Sequence, residues 1–318
     1  MRYGYLGPET TFTHQALLQA LAAMPEEAAA QVEAVPFSAV ATATTDLLAG
    51  DIDAMMAPIE NSVEGGVSGT LDVLAATDAI TIVAEQVVQI SFVLAARSAT
   101  ALDQIEVVSS HPHAQAQVQG WLRNQVPQAH VAASSSTAAA ARDLAALSPD
   151  QARGRAAVCS RLAAEHFGLE ILAEGIEDYE GAQTRFVLVT REGRIPARTG
   201  ADKTTLVIQL PHNRAGALLE ALEILSSNGV NMSRIESRPI GDFMGRYSFS
   251  IDLEGHIEDR RVAAALRSLH RLCPVVHYLG SYPRVDGQRA DVREDFVDHA
   301  YDEAREWVER LSAMIAPA

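Results

Sequence analysis

The segment Gly181-Ala-Gln-Thr-Arg-Phe-Val-Leu-Val189 is an apolar run with three polar residues, Gln183, Thr184 and Arg185, near its start. Its aromatic and β-branched residues predict a strand over 181–190. Because successive side chains of a strand point to opposite faces, Thr184 and Arg185 are expected on opposite sides of it. Phe186 is expected to pack in the core rather than to stack on a ligand. The strand therefore carries a hydroxyl and a guanidinium into the fold next to each other.

Strand-like and helix-like patterns alternate on the N-terminal side of this segment, which predicts an α/β fold with a mostly parallel sheet over residues 1–190. The β-branched run 80–96 can carry the chain into a second lobe, and the strand over 181–190 returns it. Two lobes with two crossings enclose a cleft, which is a common site for small anionic ligands. The predicted strands are 2–6, 31–35, 53–58, 80–96, 106–109, 130–133, 156–159, 169–173 and 181–190, and the predicted helices are 14–24, 39–49, 71–77, 113–124, 135–146 and 161–167.

The pattern changes after a polar stretch broken by Pro196 and Gly200, so the first domain is placed at residues 1–192. Asn228-Gly229 is a helix stop and Gly241-Asp-Phe-Met-Gly245 is predicted to be a hairpin turn. The order βαββαβ is typical of a ferredoxin-like domain, which is placed at 203–282. Its predicted elements are strand 203–210, helix 214–228, strands 230–238 and 246–253, helix 257–272 and strand 275–281.

A final helix is predicted over 293–315, beyond a second linker at 283–292. Its apolar residues recur at helical spacing, so they form one face. That face is expected to pack against the body of the protein or against a partner chain. Its members are Phe296, Ala300, Ala304, Trp307, Val308 and Leu311.

Composition excludes several classes of protein. The net charge of −16 argues against nucleic-acid binding, which needs a basic face. No run of about 18 apolar residues is present to span a membrane, and no leader is evident, so a cytoplasmic location is expected. Lys203 is the only lysine, so arginine or backbone amides must recognise any carboxylate. Cys159 and Cys273 are expected to be reduced, buried thiols.

The usual motifs of metal, nucleotide and covalent catalysis are missing. The sequence contains no HExxH, GxSxG, Walker-type phosphate loop or GxGxxG motif, so no metal or other cofactor is expected. His111 and His113 flank Pro112, but this spacing is poor for a metal and no third ligand accompanies it. Capping and packing are the expected roles of these two histidines. The chain is therefore suited to a reaction that needs no metal, nucleotide or covalent intermediate.

Four further segments accompany Thr184-Arg-Phe186, and the ordered set is far more specific than any one member. Together they resemble the prephenate dehydratases that carry a regulatory ACT domain, and the resemblance covers residues 1–282. It implies a two-lobed, periplasmic-binding-protein-like catalytic domain followed by the ferredoxin-like ACT domain. The four segments are Gly7-Pro-Glu-Thr-Thr-Phe-Thr-His-Gln15, Pro58-Ile-Glu-Asn-Ser62, Ser110-His-Pro-His-Ala-Gln-Ala-Gln117 and Glu236-Ser-Arg-Pro239.

The resemblance implies an activity: the conversion of prephenate to phenylpyruvate, CO2 and water in phenylalanine synthesis. Thr184 is then the catalytic group that touches the departing hydroxyl, as a polarised donor or a relay. Arg185 is assigned as catalytic through a substrate carboxylate, with a salt bridge within the protein as an equal alternative. Substrate binding falls to Thr11, Phe12, Asn61, Ser62, Ser110, Gln117 and Phe186.

Three features near the expected site bear on this assignment. Thr10 stands where the family pattern has glycine, so a turn with φ > 0 is less expected there. The segment Ser136-Thr-Ala-Ala-Ala140 lacks a glutamate that many relatives carry. Glu60 would repel a dianionic substrate unless it is protonated or turned away.

The resemblance also implies that the second domain binds L-phenylalanine at an interface between two ACT domains, in a homodimer or homotetramer. Arg214-Ala-Gly-Ala-Leu-Leu219 matches the turn and helix start of ACT domains, and Gly216 would allow close approach of a ligand backbone. A ligand at such an interface could couple end product to the catalytic cleft. The expected effector-binding residues are Gly216, Ala217, Leu218, Glu236, Ser237, Arg238 and Pro239.

Two other functions stay open at this stage. Arogenate dehydratase would act on the amino counterpart of prephenate, and no residue of the sequence decides between the two substrates. A non-catalytic amino-acid sensor could also combine two closing lobes with an ACT domain. The intact Thr184-Arg185 pair, together with Asn61, Ser110 and Gln117, weighs against a sensor, which has no need of that set.

Overall fold

The computed structural model describes residues 1–211, 214–240 and 247–315. The chain divides into two compact units, which are residues 1–70 with 86–188, and residues 71–85 with 189–318. Residues 71–85, assigned from the sequence to the first domain, thus group with the second unit. The hairpin turn predicted at Gly241–Gly245 lies outside the described residues. Over those residues, no helix combines the length and the apolar character needed to cross a membrane.

The first unit and the strands that continue out of it contain two α/β sheets. The element order follows the sequence prediction closely, although most boundaries shift by one to three residues. A short 3₁₀ turn covers Leu102–Gln104. The strands are β1 Arg2–Leu6, β2 Glu33–Phe37, β3 Ala54–Asn61, β4 Gly65–Gly66, β5 Ile80–Gln89, β6 Val93–Ala96, β7 Val107–Ser110, β8 His130–Ala133, β9 Arg155–Cys159, β10 Glu170–Glu174 and β11 Gln183–Arg191; the helices are α1 Phe12–Ala22, α2 Glu26–Ala29, α3 Val40–Ala49, α4 Ser68–Ala76, α5 Pro112–Gln117, α6 Gln119–Gln125, α7 Thr137–Ala146, α8 Pro149–Ala152 and α9 Arg161–His166.

The first sheet has the order β2-β1-β3-β11-β5, with the short β4 paired to β3. β1 runs parallel to both β2 and β3, while β4 is antiparallel to β3. Fully buried side chains such as Tyr5, Leu17 and Ile59 form its core. This order makes β3 and β11 neighbours although they are more than 100 residues apart in the chain.

The second sheet has the order β10-β6-β9-β7-β8 and forms the second lobe. β7 is parallel to β8 and β9, whereas β6 is antiparallel to β9 and β10. The two connections between the lobes lie side by side, because Ile90 N donates to Ala182 O at 2.7 Å and Ile176 N donates to Phe92 O at 3.3 Å. The two-lobed α/β architecture is confirmed, with mixed rather than mostly parallel sheets.

Two local departures from the predicted elements affect the candidate site. The helix predicted over 113–124 is two helices, α5 and α6, because Val118 leaves the helical region with φ −121° and ψ 10°. Strand β3 continues through Glu60 and Asn61, which the sequence placed in a turn. Both differences move a polar side chain to the end of an element: Gln117 ends α5, and Asn61 ends β3.

The second unit contains a four-stranded antiparallel sheet with the order β13-β14-β12-β15. A core of buried residues including Leu206, Ile251 and Val262 lies between this sheet and its two helices. The βαββαβ order is confirmed. Its elements are β12 Asp202–Gln209, α10 Ala217–Ser227, β13 Met232–Pro239, β14 Tyr247–Glu254, α11 Arg260–Leu272 and β15 Val275–Pro283.

The other face of this sheet is polar and buried. Arg234 forms a two-pronged ion pair with Asp252, with distances of 2.9 and 3.1 Å. Lys203 donates to Glu85 at 2.8 Å, and both side chains are almost fully buried. Gly280 of β15 passes so close to Ile82 of β5 that a Cβ at this glycine would overlap the Ile82 carbonyl oxygen. The close approach of β15 to β5 therefore requires glycine at position 280.

The C-terminal region is shorter and more polar in its contacts than the predicted helix over 293–315. It consists of a 3₁₀ turn, Glu294–Phe296, and helix α12, Asp298–Ser312. The start of α12 is held by ion pairs, since Asp298 lies 2.7 Å from Arg198. The apolar side chains further along are exposed, as Trp307 is 57% and Leu311 45% accessible.

The Gly280 contact gives a stability prediction. Gly280→Ala is expected to lower the free energy of unfolding by about 2–4 kcal/mol, because the methyl group overlaps the Ile82 carbonyl and φ is +137°. The matched control is Gly287→Ala, where φ is +63° but nothing lies within 4 Å of the added carbon, so a loss of only about 1 kcal/mol is expected. Urea denaturation of both variants measures the difference, and equal losses would contradict the close-approach explanation.

Candidate active site

A hydrogen bond between two neighbouring strands forms the centre of the candidate site. Asn61, at the end of β3, donates from its amide nitrogen to the Thr184 hydroxyl oxygen at 2.8 Å. The Asn61 amide oxygen accepts from the backbone of Val63 at 2.8 Å and Glu64 at 3.0 Å. These two bonds fix which end of the carboxamide faces Thr184. Because the Thr184 oxygen accepts this bond, its hydrogen is directed elsewhere and can be donated to a ligand.

Ser62 fastens the same strand pair one residue further on. Its backbone N–H donates to Gln183 O at 2.9 Å, and its hydroxyl oxygen accepts from Gln183 N at 2.9 Å. These reciprocal bonds hold the end of β3 against the start of β11. The structure thus shows a strand-pairing role for Ser62, and its assignment to substrate binding stays a prediction.

Arg185 lies in a salt bridge within the protein. Its Nε is 3.3 Å from a carboxylate oxygen of Glu60, and the arginine side chain is only 9% exposed. Alternation along both strands puts this pair on the face opposite the Asn61–Thr184 bond. The geometry favours the salt-bridge alternative for Arg185, and it explains how a dianion could be tolerated near Glu60.

The turn before α1 contradicts the expectation for Thr10. This residue has φ +67°, a left-handed conformation that is costly for a β-branched side chain. Three hydrogen bonds hold it there: its N–H donates to Nδ1 of His14 at 3.0 Å, its hydroxyl donates to Glu9 O at 2.6 Å, and its carbonyl accepts from Ser160 at 3.2 Å. The bond from Ser160 comes from the second lobe, so tertiary contacts stabilise what the local sequence disfavours.

His14 depends on the same turn. Its ring stacks on Tyr5 with centroids 4.5 Å apart, and burial lowers the pKa of the imidazole. A neutral ring keeps a lone pair on Nδ1 to accept the Thr10 N–H. Burial also raises the pKa of Tyr5 to about 12, so the stacked phenol stays neutral as well.

Thr11 and Phe12 begin helix α1. The Thr11 hydroxyl caps the helix by accepting from His14 N at 3.3 Å, and it lies 3.1 Å from both Leu6 O and Pro8 O. Phe12 contacts Phe92 edge-to-face with centroids 5.7 Å apart. Phe92 lies between β5 and β6, in the first crossing between the lobes, so Phe12 packs against that connection. Direct substrate contacts by Thr11 and Phe12 stay predictions.

Two predicted substrate-binding residues are buried in the structure. Ser110 is fully inaccessible, and its hydroxyl donates to Val158 O at 2.7 Å between β7 and β9. Phe186 is 2% exposed. The structure thus shows a sheet-stabilising role for Ser110 and core packing for Phe186, and their assignment to substrate binding stays a prediction.

Gln117 is joined to the centre of the site through Glu64, a residue that the sequence analysis did not assign. The Gln117 amide nitrogen donates to one carboxylate oxygen of Glu64 at 3.1 Å, and His113 Nδ1 lies 2.8 Å from the other. A continuous series of hydrogen bonds thus runs from Thr184 through Asn61 and Glu64 to Gln117. The only sequence signal for Glu64 was a carboxylate three residues after Asn61.

The remaining candidates for chemistry have structural roles. His111 caps α5 by accepting from His113 N at 3.3 Å, and burial lowers the pKa of its imidazole. Cys159 and Cys273 are free and buried, and burial raises the pKa of Cys159 to about 12. Among the residues that the structure describes, no group of three or more possible metal ligands is found.

The predicted effector residues lie in two elements of the second unit, the start of helix α10 and strand β13. Gly216 has φ +85° and starts helix α10, and Leu218 packs against the core under that helix. In β13, Ser237 and Pro239 are exposed, while Glu236 and Arg238 are partly covered. Arg238 donates twice to Asp72 of α4, at 2.8 Å each.

The sequence matches two family models, one for each of the two domains described above. Residues 3–194 match the prephenate dehydratase model, and residues 204–271 match the ACT domain model. This chain belongs to the prephenate dehydratase family. The resemblance carried by the five motifs is therefore confirmed, and the protein is a lyase with a C-terminal ACT domain.

Curated relatives match over nearly their whole length. The prephenate dehydratase of Mycolicibacterium vanbaalenii is 44% identical over 314 residues, which cover 96% of this chain and 97% of that protein. That of Mycobacterium tuberculosis strain H37Rv is 40% identical over 315 residues, covering 98% and 94%.

Solved structures agree with the fold. The prephenate dehydratase of Arthrobacter aurescens in complex with L-Phe has a TM-score of 0.89 and 46% identity, covering 98% of this chain and 100% of that one. The enzyme from Staphylococcus aureus has a TM-score of 0.74 at 24% identity, which shows the fold alone.

The strained turn gives a second stability prediction. Thr10→Gly is expected to change the free energy of unfolding by less than about 1 kcal/mol, because glycine adopts φ +67° without a Cβ clash. Thr10→Val keeps the β-branch and removes the hydroxyl bond to Glu9 O, so a loss of about 2 kcal/mol is expected. Urea denaturation compares the two, and a similar loss in both would show that packing of the side chain outweighs backbone strain.

Proposed function

We propose that this prephenate dehydratase converts prephenate to phenylpyruvate, CO2 and water, and that L-phenylalanine regulates it through the ACT domain. The observation that carries the catalytic part is the oriented Asn61–Thr184 hydrogen bond at 2.8 Å. The reaction belongs to phenylalanine synthesis, and we assign it to the cytoplasm. No cofactor is part of the proposal.

The reaction needs few catalytic groups because formation of the aromatic ring makes it strongly favourable. The electron pair of the bond to the ring carboxylate enters the ring as CO2 leaves, and the C–O bond to the ring hydroxyl breaks. One proton joins the departing hydroxyl to give water. Thr184 is a poor acid on its own, so it acts as a hydrogen-bond donor or relays a proton to the leaving group. Donation by Asn61 polarises the threonine O–H and strengthens it as a donor.

The ring carboxylate must lose its charge during the reaction, so a cation held against it would stabilise the ground state more than the transition state. The salt bridge from Arg185 to Glu60 supports this requirement, since it holds the guanidinium in an internal pair. We therefore assign Arg185 to a structural role on the back of the strand. The Thr184 hydroxyl and the Gln117 amide, which are neutral, are left to contact the reacting part of the substrate, and Asn61 acts through its bond to Thr184.

Two kinds of observation support the proposed regulation: a related structure with L-Phe bound, and features of the second unit. The Arthrobacter aurescens enzyme was solved with L-Phe bound, and it shares 46% identity with this chain. Gly216 presents an open backbone at φ +85°, where an added Cβ would meet nothing within 4 Å. The exposed apolar side chains of Ile235 and Tyr247 accompany it on the ACT domain. These features support an L-phenylalanine site closed by a second copy of the chain, in a homodimer or homotetramer.

Thr184→Ala is expected to lower kcat/KM for prephenate by about 10²–10³-fold, the range for losing one oriented donor to a transition state. Thr184→Ser should keep most activity because it keeps the hydroxyl. Thr190→Ala on the same strand is the matched control, since Thr190 donates to Thr81 O at 3.3 Å away from the site. Steady-state assays of phenylpyruvate formation measure all three, and near wild-type turnover in Thr184→Ala would remove this residue from the mechanism.

The Asn61 bond can be tested by a double-mutant cycle. Asn61→Ala should lower kcat/KM by about tenfold or more on its own, and by much less when Thr184 is already alanine. This non-additivity is expected because Asn61 acts through the Thr184 hydroxyl. Fully additive losses would show that Asn61 contacts the substrate independently.

The first assay is phenylpyruvate formation from prephenate by the purified protein, with and without L-phenylalanine and with arogenate in parallel. Turnover of prephenate that responds to phenylalanine supports both parts of the proposal. Turnover of arogenate but not of prephenate would show that the substrate is arogenate. Turnover that does not change with L-phenylalanine would contradict the proposed regulation.

A further inference from the structure

Strand β13 presents two faces, and its alternation divides the predicted effector residues between them. The register with β14 pairs Ile235 with Ile251 and Ser237 with Phe249. Ile251 and Phe249 belong to the core that helices α10 and α11 cover, and Leu218 packs against the same core. Ser237 therefore lies on the helix-covered face of the sheet, the same face as the start of α10.

The other residues of β13 belong to the opposite face. Glu236 pairs with Ser250 and Arg238 with Ser248, and both serines are buried. Arg238 reaches Asp72 on this face with a bidentate fork, Nε to Oδ1 and a terminal nitrogen to Oδ2, each at 2.8 Å. A fork of this geometry fixes both side chains more firmly than a single contact does. Arg238 is thus engaged with α4 through the bidentate bond to Asp72.

Asp72 connects this pair to the catalytic residues along the chain. It lies on helix α4, Ser68–Ala76, whose buried Leu71 and Leu74 anchor the helix. The segment 62–67, named here the site loop, runs directly from Asn61 into α4 and includes Glu64. Val67 N donates to Ile59 O at 3.0 Å and Thr70 N to Val67 O at 3.0 Å. The site loop and α4 therefore form one continuous hydrogen-bonded piece of chain.

We propose that β13 transmits the effector signal through the Arg238–Asp72 pair: L-phenylalanine binds on the Ser237 face, and Arg238 on the opposite face shifts α4 and with it the site loop. This inference rests on the proposed regulation by L-phenylalanine. It changes the role of Arg238 from effector contact to transmission. Such coupling needs the pair to differ in strength between the bound and unbound states of the ACT domain.

The test separates binding from response in the full-length protein. Asp72→Asn removes the charge pair with little change of shape, and Asp72 is part of neither the catalytic set nor the effector face. We expect wild-type basal turnover and a phenylalanine Kd within about threefold of wild type by calorimetry. The factor by which saturating phenylalanine changes kcat/KM should fall at least about fivefold, the lower end of typical allosteric couplings.

The matched control is Asp143→Asn, which breaks another arginine–aspartate pair, with Arg142 at 2.8 Å, on the exposed surface of α7. It should respond to phenylalanine as wild type does. Asp72→Glu keeps the charge and should recover part of the response. An unchanged response in Asp72→Asn would overturn the inference, and so would loss of phenylalanine binding, because the aspartate would then belong to the effector site.

A second readout does not depend on turnover. Hydrogen–deuterium exchange of peptides covering residues 62–76 should change on adding phenylalanine to wild type and not to Asp72→Asn. The same change in both proteins, or no binding of phenylalanine to wild type, would overturn the inference. Failure of prephenate turnover with this exchange pattern intact would instead count against the proposed reaction alone.

Discussion

The carboxamide of Asn61 is the constraint on which the candidate site depends. Its oxygen is taken by the backbone N–H groups of Val63 and Glu64, so its nitrogen must face Thr184. That single orientation decides that the threonine oxygen accepts and its hydrogen is available for donation. It also fixes the start of the site loop, whose Glu64 carries the network on to Gln117. Strands β3 and β11 can supply this bond because they are neighbours in the first sheet. They become neighbours only when the chain, after forming the second lobe, re-enters the first sheet as β11 between β3 and β5.

Charge is arranged so that the reacting groups are neutral. The chain has a net charge of −16 and one lysine, yet the carboxylates near the site have cationic or hydrogen-bonding partners: Glu60 has Arg185, and Glu64 has His113 and Gln117. A reaction in which a carboxylate must give up its charge is poorly served by an unpaired arginine. The Arg185–Glu60 salt bridge and the Asn61–Thr184 hydrogen bond lie on opposite faces of the sheet because successive side chains of a strand point to opposite faces.

Strain in the first unit and close approach in the second are both stabilised by distant parts of the chain. Thr10 holds a left-handed turn because His14 and a serine of the other lobe bind its backbone. Gly280 allows β15 to pass against the carbonyl of Ile82. The Ser160–Thr10 and Gly280–Ile82 contacts each join segments more than 100 residues apart in the sequence, whereas the His14 bond to Thr10 is local. At both sites the backbone conformation is set by these tertiary contacts. These are the positions where small substitutions affect stability through the backbone rather than through the core.

The sequence by itself determined the succession of elements, the strand over 181–190, the βαββαβ order of the second domain and the motifs of the family. Those features depend on period, capping and composition, which are properties of neighbouring residues. The tertiary structure decided which side chains meet: Thr184 with Asn61, Arg185 with Glu60, and Arg238 with Asp72. It also buried Ser110 and Phe186, and it held Thr10 at positive φ. Such outcomes follow from register and burial between strands far apart in the chain, which local patterns do not encode.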